Sequence, residues 1–189
     1  MKNNSYIQIF AAHRGAGRKV ILAALLAATT GSMMSQSLKF DSAEFTVYQK
    51  TAFSIQVPDY LVEVTDMSEQ ADLQMKNVFN ETYLLIVAEP KATAVSLPAL
   101  QHKFETNLAA HQGLVMARKD LRIDGRRAFQ LDVVWQVQGN DLAYLVTFVD
   151  APDVIYKIYF WTLGTQRNLL QDFRKSVSTF AINQFQARR

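Results

Sequence analysis

Residues 114–162 constrain the fold more tightly than any other stretch of the chain. Phe129, Leu131, Val133, Trp135 and Val137 alternate with Gln130, Asp132, Gln136 and Gln138, broken only by Val134. This is the two-residue period of a strand with one strongly apolar face. Gly139-Asn140 follows, and both residues tolerate the positive φ that a two-residue hairpin turn needs. Pairing Gln138 with Asp141 sets Trp135 opposite Tyr144, Val133 opposite Val146 and Leu131 opposite Phe148, so the apolar faces agree across the turn. A three-residue loop, Ala151-Pro152-Asp153, is then expected to bring Tyr156, Ile158 and Phe160 onto that same face. Asp124-Gly125 marks a further tight turn, joining a strand around 114–122 to one starting near Arg127. The pattern predicts a four-stranded antiparallel meander over about 114–162.

The first half of the body reads as strands at Phe45 to Gln49, Phe53 to Val57, Leu73 to Phe79 and Tyr83 to Ala88. The last of these is apolar on both faces, so it is expected at the centre of a sheet with cover on both sides. Two helices supply that cover. Ser96 caps the first, Pro98 fits its opening turn and Gly113 lies past its end, while Leu97, Leu100, Phe104 and Leu108 fall on one stripe. Thr165 is expected to cap the second, whose stripe is Leu169, Leu170, Phe173, Val177 and Phe180. The predicted class is α+β, an antiparallel sheet with packed helices in an α-β-α sandwich.

The whole chain carries a formal charge of +3, but residues 1–37 hold Lys2, Arg14, Arg18 and Lys19 and no acid, which leaves the body near −1. A basic leader on a neutral body gives no ground for a nucleic-acid partner. The leader itself, Arg18-Lys19 followed by the apolar run Val20 to Ala28 and then small residues, has the form of an export signal. Its apolar run is shorter than the roughly 20 residues that span a bilayer. Cleavage near residue 37 is expected, with 38–189 a single exported domain in the periplasm or outside the cell and no stable transmembrane span after processing; the alternative is an uncleaved membrane anchor. The chain has no cysteine, so a disulfide scaffold and thiolate metal centres are excluded and the fold must rest on its core. At about 150 residues such a core buries enough surface to suffice.

The segment Phe53-Ser54-Ile55-Gln56-Val57-Pro58, with Tyr60 after it, resembles the F-x-I-x-x-P opening of the PsbP-like family, although the usual aromatic there is tryptophan. That family comprises the extrinsic photosystem II protein and bacterial periplasmic DcrB-type relatives. The late strand Val154-Ile155-Tyr156-Lys157-Ile158-Tyr159 and a last helix ending Val177-Ser178-Thr179-Phe180 are similar to it as well, in matching order over residues 44–180. The resemblance implies an α-β-α sandwich, an exported location and a binding or assembly role without catalysis. It brings no site residues.

Motifs for chemistry are sparse. His102 and His111 are nine residues apart, on opposite sides of a helix, so that helix alone does not offer them to one metal. His111 suits a helix C-terminus, where an imidazole meets free carbonyls. Asp59, Glu63, Asp66, Glu69 and Asp72 lack the spacing and glycine of a calcium loop and read as a solvated connection. No cofactor, metal or catalytic set is expected. The competing class is a small periplasmic hydrolase whose site is assembled from residues distant in sequence.

Two places are candidates for binding. Arg118, Lys119, Arg122, Arg126 and Arg127 gather about the Asp124-Gly125 turn, against Asp120 and Asp124, where five bases suit an anionic envelope partner or an acidic protein. The same charges also keep an edge hairpin soluble. The reverse face of the meander, expected to carry Gln130, Asp132, Gln136, Lys157, Tyr159 and Trp161, mixes polar and aromatic groups as binding surfaces do.

Overall fold

The computed structural model describes residues 43–91, 96–137 and 139–183; the expected leader and its cleavage near residue 37 lie outside them. Ten strands and two helices follow in the order β1 (Phe45–Gln49), β2 (Phe53–Pro58), β3 (Val62–Glu63), β4 (Leu73–Asn77), β5 (Thr82–Pro90), α1 (Leu97–Ala110), β6 (Leu114–Ile123), β7 (Arg126–Val137), β8 (Asn140–Asp150), β9 (Val154–Leu163), α2 (Leu170–Ser178) and β10 (Ala181–Ile182). The meander is present as β6 to β9. It continues through β5 and β4 to β3 in a seven-stranded sheet ordered β3-β4-β5-β9-β8-β7-β6, beside a three-stranded sheet ordered β1-β2-β10. All pairs are antiparallel. The α+β class, with an antiparallel sheet between packed layers, is the observed one.

β5 is central, between β4 and β9, and Thr82 through Val87 are buried, as a strand apolar on both faces requires. One face of the large sheet, with Ala143, Leu145, Val149, Tyr156, Ile158 and Phe160, meets Phe53 and Ile55 of β2 and Phe173 and Val177 of α2 in one core. Phe160 stacks on Phe173 at 4.5 Å between ring centres. The opposite face carries Phe129, Leu131, Val133, Tyr144, Val146 and Phe148, and α1 lies against it with Phe104 edge-on to Phe148 at 5.5 Å. Ser96 caps α1 by accepting the Ala99 N–H, and its stripe Leu97, Leu100, Phe104 and Leu108 is buried.

Three sequence expectations are corrected. The β7–β8 hairpin closes one residue earlier than expected, with Val137 opposite Asn140, so that Trp135 faces Leu142, Val133 faces Tyr144 and Leu131 faces Val146. Each partner moves by two positions and every side chain keeps its face. Gly139 still supplies the positive φ, at 83°.

The second correction changes more. Ala151 donates its N–H to the Val154 carbonyl, which leaves only Pro152-Asp153 in the loop, and Asp150 faces Ile155. A shift of one residue turns a strand over. Tyr156, Ile158 and Phe160 therefore lie on the small-sheet face, while Lys157, Tyr159 and Trp161 lie on the α1 face.

The third concerns Thr165, which starts no α-helix. Gly164 is pressed against Asp141, where a Cβ would come within 3.0 Å of its carbonyl oxygen. The chain leaves β9 as a 3₁₀ stretch, Gly164–Leu169, and α2 begins at Leu170 without a side-chain cap.

Candidate basic hairpin site

Asp124 and Gly125 both have positive φ, 49° and 72°, as a two-residue hairpin loop demands. They turn β6 into β7 with Ile123 opposite Arg126 and Arg122 opposite Arg127. Ile123 is buried in the core and Asp124 accepts the Ile182 N–H at 3.0 Å, so the hairpin is anchored from inside and from β10. The register sorts the five candidate bases. Arg118, Arg122 and Arg127 stand on the α1 face, and Lys119 and Arg126 on the other.

All five are exposed, but they are not equivalent. Arg118 reaches back to α1 and binds Glu105 through two hydrogen bonds, 2.9 Å from Nε to Oε1 and 2.7 Å from Nη2 to Oε2. The Arg118 guanidinium holds the Glu105 carboxyl below the usual carboxylate range. Arg118 is therefore neutralised in place, whereas Arg122 donates only to the Gly125 carbonyl at 2.9 Å. Among the described residues Lys119, Arg122, Arg126 and Arg127 have no carboxylate within ion-pair distance. Arg122 and Arg127 face each other directly, an arrangement that opposes folding. Between α1 and this hairpin lies a cleft of about 120 Å³ lined by Gln101, Arg118, Phe129 and Gln130 among others, smaller than the ~300–1,000 Å³ of small-molecule sites.

The mixed reverse face does not exist as one surface. Gln130 and Asp132 share the small-sheet face with Ile158 and Phe160, and Lys157, Tyr159 and Trp161 share the α1 face with Phe129. Gln130 is buried and donates to Thr147 at 3.1 Å, and Asp132 accepts from Arg174 of α2 at 2.5 Å. Tyr159 is 1% exposed. Trp161 is half-buried within a row of rings: it stacks on Tyr83 at 5.0 Å and on Tyr144 at 6.0 Å, and Tyr144 touches Trp135 at 6.2 Å. Because the Trp161 ring is held between two tyrosines, its π faces are already occupied. The row is packing across four strands.

Lys157 is the residue that sequence reasoning placed wrongly and whose chemistry it missed. It sits on the α1 face, in register with Val87 and Phe148, is 5% exposed, and pairs with Glu89. Burial draws its ammonium down to about 8; the half-exposed Glu89 carboxylate shares its charge with solvent and offsets this incompletely. The sequence signal was the turn, since Pro152-Asp153 is a turn pair and Ala151 and Val154 flank it.

His111 donates from Nδ1 to the Asn107 carbonyl at 2.7 Å, as expected of a helix end, and His102 is exposed. The acidic residues of 59–72 act separately: Glu63 pairs with Lys50, Asp66 with Lys76, and Asp72 accepts the Ala88 N–H.

No family model and no curated protein matches the chain, whereas solved structures do. Cyanobacterial PsbP (CyanoP) from Synechocystis sp. PCC 6803 superposes with a TM-score of 0.59 at 15% identity, covering 77% of this chain and 96% of that one. LpqN, involved in cell envelope biogenesis of Mycobacterium tuberculosis, superposes with a TM-score of 0.54 at 12% identity, covering 82% of this chain and 99% of that one. At these identities the likeness is one of fold, and the fold is PsbP-like.

Proposed function

We propose that this PsbP-like chain is an exported, non-catalytic binding or assembly protein, and that it meets an anionic partner of the cell envelope through the tip of the β6–β7 hairpin. The observation that carries this reading is the set Lys119, Arg122, Arg126 and Arg127, four exposed bases without carboxylate partners among the described residues. Two of them, Arg122 and Arg127, are directly opposed. A fold that keeps like charges in apposition stores repulsion that an anion relieves. The export-type leader supports the location, and the likeness of fold to LpqN, a protein of envelope biogenesis, is in keeping with it.

The test is binding to two polyanions, phosphatidylglycerol vesicles and poly-glutamate, at low and high salt. Exposed charges are screened within about 10 Å at 0.1 M, so at least one polyanion should bind at low salt and release as salt rises. Replacing Arg122, Arg126 and Arg127 with Gln should reduce that binding while thermal stability stays within about 0.5 kcal/mol, as for surface substitutions generally. Equal binding by the triple variant at every salt concentration rejects the reading.

A further inference from the structure

β6 is the outermost strand of the large sheet and pairs only with β7 among the described strands. It is ten residues long, against two for β3 at the opposite edge. Met116 through Asp120 are exposed in succession, with Arg118 of that run tied to Glu105 of α1 across one face. A row of outward-facing backbone N–H and C=O groups of this length is a template for another strand unless something blocks it. The irregularity between Val115 and Ala117 interrupts only the first residues of the strand, and the register from Ala117 to Ile123 is continuous.

The charges on that continuous segment define what fits beside it, and the exposed Asp120, between the bases on the Arg122 face, calls for an uncharged neighbour. Lys119 stands on one face and Arg122, three residues on, stands on the other, with Arg126 and Arg127 behind them on β7. Leu121 lies between, half-buried against the core, on the Lys119 face. A second copy of this chain brings its own excess of base to the same seam. An extended segment with two carboxylates three residues apart places one acid beside Lys119 and the other beside Arg122, with an apolar side chain beside Leu121. Carboxylates in those places also relieve the apposition of Arg122 and Arg127. We propose that the edge of β6 takes up an acidic, extended polypeptide as an eighth strand of the large sheet, an inference that rests on the anionic-partner reading above. Main-chain hydrogen bonds would supply affinity, and the two acids would supply register and specificity.

The probe is the peptide Ac-Thr-Glu-Val-Thr-Glu-Thr-Val-amide, used with the whole protein, with hydrogen exchange followed at the amides of 117–123. Binding should slow exchange at alternate amides of β6 and weaken with salt. Of two peptides N-methylated on alternate residues, the one blocked on the β6 side should lose at least tenfold in affinity and its counterpart should keep most of it. Lys119→Glu with Arg122→Glu should bind the probe at least tenfold less tightly and should regain binding to a peptide with Lys in place of both Glu residues. Equal binding of both N-methylated peptides without β6 protection overturns strand addition and leaves the basic contact standing. Binding of phosphatidylglycerol vesicles without the peptide, or protection of β6 in a dimer formed without it, overturns it too. If neither peptide, poly-glutamate nor vesicle binds, the anionic-partner reading fails with it.

Discussion

The indole Nε1 of Trp135 donates a 2.7 Å hydrogen bond to the main-chain carbonyl of His111. The last carbonyls of a helix have no partner within it, and here one is satisfied by the sheet on which the helix lies. The bond ties the end of α1 to β7, with the His111 and Trp135 rings edge to face at 6.4 Å. Trp135→Phe retains most of the ring and loses the bond, and should cost about 1 kcal/mol. Trp135→Ala also removes half-buried ring surface and should cost about 2–3 kcal/mol, below the range for fully buried aromatics. Denaturant melts of both variants check this: equal losses would assign the whole effect to the hydrogen bond, and no loss in Trp135→Phe would assign it to packing.

The end of α1 offers a stabilising change. Gln112 donates to the Ala109 carbonyl and Gly113 to that of Leu108, the two bonds of a Schellman motif, and the left-handed position falls on Gln112, with φ of 63°. Gln112→Gly should raise stability by about 0.5–1 kcal/mol. Gly113→Ala should lower it, because its Cβ would fall 2.2 Å from Leu108 Cδ1. Thermal melts that rank the pair the other way would place the strained residue elsewhere.

Gly139 separates backbone strain from crowding. Its φ is 83°, and a Cβ there would meet nothing within 4 Å. Gly139→Val should therefore cost about 1–2 kcal/mol through the backbone alone, and Gly139→Asn, which tolerates positive φ, should cost less. Comparable losses for the two, measured by urea unfolding, would refute the conformational explanation.

Lys157 sets a pH dependence of stability. Its pKa is about 8 when folded against roughly 10.4 when unfolded, so between these values the unfolded chain binds more protons and stability rises with pH. From pH 8 to pH 10 the gain should be on the order of 2 kcal/mol, at about 1.4 kcal/mol per pKa unit. Above pH 10 the trend should reverse. Burial holds the Tyr144 and Tyr60 hydroxyls protonated in the folded state, while their unfolded counterparts ionise. Lys157→Met should flatten the rise, and an unchanged slope in that variant would remove Lys157 as its source.

Strands and helices with a clear period were legible in the sequence because burial on one face writes that period into the residues. The alternation in β7, the run of β5 and the stripe of α1 all led to the observed elements. What decided the faces was turn chemistry, and there the outcomes differed. Moving the β7–β8 turn by one residue displaced both strands together and left Trp135 and Tyr144 on one face. Counting Ala151 into the next loop displaced only β9 and exchanged Lys157, Tyr159 and Trp161 for Tyr156, Ile158 and Phe160. β9 carries aromatic or aliphatic residues on both faces, so its composition did not reveal the inversion. The basic tip was legible as a cluster, but the pairing of Arg118 with Glu105 depends on α1 crossing β6, a contact between segments 13 residues apart. β3 and β10, two residues each, are too short to carry a period.

The ring row at the hairpin-turn end of β7 and β8 gives the protein an internal optical probe. Both tryptophans belong to it: Trp161 lies between Tyr83 and Tyr144, and Trp135 adjoins Tyr144. Light absorbed by those two tyrosines passes to the indoles at such separations, and fixed, near-parallel rings couple into a near-ultraviolet dichroism band. Loss of that band with the amide signal intact would report loosening of this end of the sheet before the small-sheet core unfolds, with no label introduced.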